Sequence, residues 1–211
     1  MRIRGFFLRL AVQPAFAAML WASAISCQQT TIQLPAAQTT GGMPLMEALA
    51  KRQTTRAFAD KPLPLQTLSN LLWAAFGVNR PRVVKAGLGR TAPSAMNKQE
   101  VELEVVLADG VYVYEAEQNR LRAVAAGDVR GMIGTGAAAH AAVTIVYVAD
   151  ARQDSAQVDT GFIGQNVYLF AASEGLNAWF YAFHSPDVAA TLKLPEGRKP
   201  LYGQSVGFPE K

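Results

Sequence analysis

The 211-residue chain has one cysteine, Cys27, and two histidines, His140 and His184. A single cysteine cannot close an internal disulfide. The histidines lie far apart and no His, Cys or carboxylate group has ligand spacing, so a metal centre lacks its donors. Both histidines read as surface or structural residues. Ser94 stands in no GxSxG turn, which argues against a serine hydrolase. Gly87-Leu88-Gly89-Arg90 falls short of a GxGxxG turn and follows no clear strand, and no Walker loop is present. Charged residues are scarce, at 17%. The net charge of +4 owes most to Arg2, Arg4 and Arg9, in a leader without acids. The remainder is close to neutral, so nothing marks a nucleic-acid surface. Half the residues are hydrophobic, which fits one globular domain with a sizeable core.

The leader has its own logic. MRIRGFFLRL is positively charged, and AFAAMLWASAI (15–25) is apolar but too short to span a bilayer. AISC (24–27) resembles a bacterial lipobox. These features predict a signal peptide over 1–26, lipid attachment at Cys27, and a protein exported to the periplasm or cell envelope. It would touch the membrane only through that anchor. A start at Met19 would instead leave it leaderless and cytoplasmic. QQTTIQLPAAQTTGGM (28–43) is polar, small and proline-bearing, so 27–43 reads as a flexible tether and 44–211 as the folded domain.

Within that domain, 43–53 has helical spacing. LPLQTLSNLLWAAFG (63–77) is a strong helix with Leu65, Leu68, Leu71, Leu72 and Phe76 on one face and Pro64 at its start. Residues 78–92 read as a basic loop. VELEVVLA (101–108) and VYVYEA (111–116) flank Asp109-Gly110, a hairpin signal. A short helix is expected at 128–133, a central strand at 143–150 and a long apolar helix at 157–175. A strand at 177–183, a helix at 185–194 capped by Ser185 and Pro186, and a strand at 201–209 follow. Mixed helices and strands with an early hairpin indicate an α+β fold.

Two segments carry candidate chemistry. KRQTTRAF (51–58) gathers Arg52 and Arg56, whose guanidinium forks suit a phosphate, with Gln53 and Thr54 as neutral partners. A solvated helix end with cations placed by the dipole is the plainer alternative. PSAMNKQE (93–100) is a small, rigid loop bearing amides ahead of a strand.

Taken in order, these segments resemble the nitroreductase-like flavoprotein family. KRQTTRAF is similar to its R-x-S-x-R-x-F opening, and RTAPSAMNKQE to its P-S-S-x-N-x-Q loop. VDTGFIGQNVYLFAASEGLNAWFYAF resembles the long dimer helix and the strand after it; LPEGRKPLYGQSVGFP resembles the closing motifs. LSNLLWAAFGVNRP (68–81) is closest to the thiazole- and oxazole-forming (azoline) dehydrogenase branch. That branch carries a Lys-Tyr pair before the long helix, which ADARQDSAQVDT (149–160) lacks, so peptide azoline oxidation is disfavoured.

The resemblance implies a mostly antiparallel central sheet flanked by helices, with FMN at a homodimer interface. Arg52 and Arg56 would neutralise the phosphate; Gln53 and Thr54 would bond phosphate or ribityl oxygens. Asn97 would meet the pyrimidine edge, while Pro93, Ser94 and Ala95 would lie flat against the ring, with Gln99 holding the loop. Phe180, Tyr181 and Ala182 would present backbone to the flavin N5 and O4, unless their side chains are plain core. Lys211 is the one cation placed to stand for the family's C-terminal phosphate ligands. No side-chain acid or base is expected, since the flavin carries the chemistry. The implied activity is two-electron transfer to a nitroaromatic, quinone or similar conjugated acceptor, with NAD(P)H as the family's usual donor. A flavin-dependent dehydrogenase of a small metabolite and a lipid-anchored flavin- or ligand-binding protein without turnover are the alternatives. RIR is not a twin-arginine signal, so an exported chain would acquire FMN outside the cytoplasm, where nicotinamides are scarce.

Overall fold

Near-continuous apolar runs build the central strands, and apolar helix faces cover them. The computed structural model describes residues 31–83, 87–134, 136–150, 152, 154–183 and 185–210. The order is β1 (Thr31–Gln33), α1 (Leu45–Lys51), α2 (Leu65–Phe76), β2 (Val78–Val83), β3 (Gly87–Arg90), β4 (Glu102–Leu107), β5 (Gly110–Glu115) and β6 (Arg120–Ala126). Then come α3 (Arg130–Ile133), β7 (Val143–Asp150), α4 (Ser155–Glu174), β8 (Asn177–Tyr181), α5 (Val188–Thr191) and β9 (Arg198–Gly207). Seven strands form one sheet in the order β1-β6-β5-β4-β7-β9-β8, and every adjacent pair is antiparallel.

β4 and β7, buried almost throughout, hold the centre. α2 lays Leu68, Leu71, Leu72 and Phe76 on one face of the sheet, and α4 lays Ile163, Val167 and Ala171 beside them. Leu65, expected on that face, is exposed. A smaller cluster on the opposite face packs Val106, Val146 and Val148 against Ile133, Val188 and Leu192. Gly175, in the left-handed region at φ 67°, ends α4, and the Leu176 N–H then donates to Ala171 O at 2.8 Å.

Contact between α4 and β8 depends on Gly164. A Cβ there would meet Phe180 Cε2 at 2.9 Å and Gln204 Oε1 at 3.3 Å, both well inside normal packing. Gly164→Ala gains helix propensity but overpacks this seam. We expect a net loss of about 1–3 kcal/mol, read as a lower thermal midpoint. An unchanged or raised midpoint would show that Phe180 yields freely.

Three expectations are corrected, and one strand lies where none was expected. The tether reading of 27–43 does not hold for its described part. β1 pairs with β6, and Leu34 is buried. Beyond it Ser69 Oγ donates to Pro35 O at 2.6 Å, Gln66 Nε2 to Ala36 O at 2.9 Å, and Gln38 N to Asn70 Oδ1 at 2.9 Å. A polar composition conceals this strap because its backbone groups are satisfied by side chains of α2. The basic loop at 78–92 contains an antiparallel ribbon, β2 with β3. β6 went unforeseen because Arg120 and Arg122 mask its pattern; both pair with Glu115. The helix at 185–194 shrinks to the single turn of α5, and Ser185 Oγ accepts the Asp187 N–H at 3.2 Å in the turn before it. The leader, Cys27, His184 and Lys211 lie outside the described residues.

Candidate functional site

One group of candidate residues gathers where α1 ends. The Arg52 N–H closes that helix on Ala48 O at 2.8 Å, and the chain then runs along β8, the last strand in the sheet order. Thr55 N donates to Ala178 O at 3.0 Å, Ala178 N to Thr55 Oγ1 at 3.2 Å, and Asn177 Nδ2 to Ala57 O at 2.6 Å. The guanidinium of Arg52 lies 5.4 Å from the Tyr168 ring centroid and that of Arg56 lies 5.3 Å from that of Trp179. A guanidinium resting on a ring engages its face and keeps its N–H fork in the edge, which suits bidentate capture of an anion. Thr54 Oγ1 is 2.9 Å from the Tyr168 hydroxyl. Gln53 and Lys51 line an adjoining cavity of about 450 Å³ with Tyr168 and Asn177.

β8 brings its own candidates to this place. Phe180 turns its ring toward Tyr147 and Tyr202, so its side chain belongs to the core. Its N–H, expected to face a flavin, instead donates to the Tyr168 hydroxyl at 2.9 Å. Tyr181 meets Ser205 Oγ at 3.2 Å, and burial raises its phenol pKa. Ala182 follows the end of β8 and is exposed.

The amide loop is a second group. The Ala95 N–H donates to both carboxylate oxygens of the buried Asp159, at 3.1 and 3.3 Å. Ser94 Oγ accepts the Gln99 N–H at 2.7 Å, and Asn97 N donates to Ser94 O at 2.9 Å. Gln99 takes a bond from Arg90 Nε at 2.7 Å and donates to Asn97 Oδ1 at 2.9 Å, so it knits the loop to β3. Asn97 Nδ2 donates to Leu88 O at 3.3 Å. Met96, Asn97 and Gln99 all have left-handed backbone, at φ 51°, 54° and 55°. Such a cluster of non-glycine residues is strained, and strain of this kind gathers at ligand clamps.

Helix α4 relates the two groups. Asp159, which holds the loop, and Tyr168, which holds the arginine segment, stand nine positions apart on it. At 3.6 residues per turn they fall on opposite sides of the helix, roughly 13 Å apart along its axis. One chain therefore places Arg52 and Asn97 on opposite flanks of α4. Between these flanks the outer face carries Val158 and Phe162, 61% and 45% exposed. Sequence reasoning missed both anchors. Asp159 had one signal, a lone carboxylate at a buried helical position. Tyr168 had none, since a phenol in an apolar helix reads as core. Among the described residues no group of three His, Cys, Asp or Glu could hold a metal ion.

The comparisons agree with this architecture. The model of the Nitroreductase family matches residues 49–208. The chain belongs to that family, has its fold, and is an oxidoreductase of the nitroreductase family. A protein of Methanocaldococcus jannaschii, provisionally named a nitroreductase, is 29% identical over 185 residues, spanning 77% of this chain and 90% of its own. A crystal structure from Ralstonia eutropha, also provisionally a nitroreductase, superposes with a TM-score of 0.78 at 32% identity, covering 99% of this chain and 97% of that one. One from Parabacteroides distasonis, provisionally an NADH dehydrogenase/NAD(P)H nitroreductase, shares the fold at 23% identity and a TM-score of 0.56, over 79% and 88%.

Proposed function

We propose that two copies of this chain bind FMN at two sites across a homodimer and use it to reduce a nitroaromatic, quinone or similar conjugated acceptor by two electrons. The observation that carries this reading is the separation of the arginine segment and the amide loop onto opposite flanks of α4, with exposed apolar residues between. A two-fold partner seated on that face covers Val158 and Phe162 and brings the arginine segment of one chain to the amide loop of the other. The residues fit the cofactor by chemistry. Two guanidiniums, the Thr54 hydroxyl and the Gln53 amide suit a phosphate tail, and the Asn97 amide, held by Leu88 O and Gln99 in the loop, is of the donor-and-acceptor type that matches a pyrimidine edge. The small residues from Pro93 to Ala95, just ahead of the strained Met96 and Asn97, let backbone approach a flat ring.

When bound, FMN supplies the hydride chemistry. The chain binds, orients and excludes water. Backbone at Tyr181 and Ala182 supports the ring edge; the N–H of Phe180 is committed to Tyr168. The likeness of 68–81 to the azoline dehydrogenase branch covers only α2 from Leu68 on and the start of β2, and without the Lys-Tyr pair peptide azolines are disfavoured. NAD(P)H is the proposed donor, in keeping with the name of the Parabacteroides fold relative. For a chain exported by its leader and anchored at Cys27, an envelope reductant takes that place.

Purified protein is expected to be yellow with a flavin spectrum, or to become so on adding FMN, and to elute as a dimer. Anaerobic titration with NADH, NADPH and dithionite then identifies the donor. Protein that takes up no FMN, or binds it as a monomer, rules the reading out; protein bleached by dithionite alone is a binder without nicotinamide turnover.

A further inference from the structure

Three features of the arginine half-site converge on one side chain. Tyr168 supports Arg52 on its ring, accepts the Phe180 N–H at 2.9 Å, and lies 2.9 Å from Thr54 Oγ1. A phenol has one proton and two lone pairs. With one lone pair given to Phe180, the hydroxyl can meet Thr54 as donor or as acceptor. An anion beyond Thr54 removes the choice. A phosphate oxygen offers acceptors, so the exposed Thr54 hydroxyl donates outward and its oxygen accepts from Tyr168. The bonds then run from Phe180 N–H to Tyr168 O–H to Thr54 O–H to phosphate, each polarising the next.

We propose that Tyr168 is a positioning residue that couples a phosphomonoester dianion at Thr54 to the backbone of β8 at Phe180. This rests on the FMN reading and deepens it. The phenol touches no cofactor, yet it makes the protein select phosphorylated flavin over riboflavin, because only the dianion sets the direction of the chain. Removing the hydroxyl alone separates this role from the support of Arg52, since phenylalanine keeps the ring.

The test measures dissociation constants for FMN and for riboflavin by flavin fluorescence in the full chain, with thermal melting as a check of folding. Tyr168→Phe is expected to weaken FMN about five- to tenfold, the worth of one well-placed hydrogen bond, and riboflavin less than about twofold. Thr54→Val is expected to show the same split, and Thr54→Ser to keep wild-type selectivity. The double variant Thr54→Val with Tyr168→Phe should lose little more than the worse single, because both break one chain. Equal losses for the two flavins, or additive losses in the double variant, overturn the coupling. If Tyr168→Phe does not fold, equal losses for the two flavins in Thr54→Val, on the exposed segment, overturn the coupling. A wild-type protein that binds neither flavin overturns the FMN reading and this proposal with it. A wild-type protein that binds FMN while Tyr168→Phe matches it overturns the coupling alone.

Discussion

Mixing an Arg52→Ala chain with an Asn97→Ala chain is expected to restore one intact flavin site in each mixed dimer. Each variant alone assembles two damaged sites. Loss of the Arg52 guanidinium removes charge-assisted bonds to phosphate, worth about 1.5–3 kcal/mol, or about 10- to 150-fold in affinity. Loss of the Asn97 amide removes neutral bonds to a ring edge, for about 5- to 30-fold. In a mixed dimer, the site built from the sound arginine segment of one chain and the sound loop of the other is whole, and the second site carries both defects. Differently tagged chains, co-purified and titrated with FMN, report this as tight binding at half the sites. The geometry behind it is the placement of Asp159 and Tyr168 on opposite sides of α4, each holding one group. A site contained within one chain would give the opposite result, since a mixed dimer would then hold one site lacking Arg52 and one lacking Asn97. No tight site would return.

That test concerns the part of the molecule least legible in the sequence. α2 announces itself because its apolar residues recur at helical spacing, and β7 because its seven residues before Asp150 carry no charge. The groups of the candidate site were legible for a similar reason: their chemistry is concentrated in two short segments. What joins the groups was not. Whether Arg52 can meet Asn97 depends on which flank of α4 each segment packs against, and no local pattern records a flank. β6 escaped because its charges read as solvated when taken alone. Arg122 Nε in fact meets Glu115 Oε1 at 2.7 Å, on the neighbouring strand. The strap at 35–43 escaped because backbone bonds hold it: Met43 N, for example, donates to Ser173 Oγ, 130 residues away, at 2.8 Å. Periodicity is visible in the sequence where a side chain decides the structure. It is silent where pairing or backbone decides it.

Glu104 offers the second large effect, on stability. It lies at mid-strand in β4, opposite Val113 on β5 and Val146 on β7. Its residue is 3% exposed, and Oε2 has no hydrogen-bond partner among the described residues. Burial pushes its carboxyl up to about 8 from 4.5; Glu102 pushes the same way, while Arg122 and Arg198 oppose. Across the neutral range the folded chain therefore keeps a proton that the unfolded chain has already released near pH 4.5. This contribution is whole below pH 4.5, falls as pH rises, and is gone above about 8. The slope is about 1.4 kcal/mol per pH unit, and the total is on the order of 5 kcal/mol. Glu104→Gln removes the titration while keeping the shape of the neutral acid. Its thermal midpoint relative to wild type is expected to climb steadily between pH 5 and 8 and then level off. The climb should reach about 10 °C, at 2–4 °C per kcal/mol for a chain of this size. Every other titrating group is common to both proteins, so the difference isolates this side chain. Melting curves that stay parallel from pH 5 to 9 would mean that Glu104 is ionised in the folded state, held by Arg122 and Arg198 more strongly than burial opposes it.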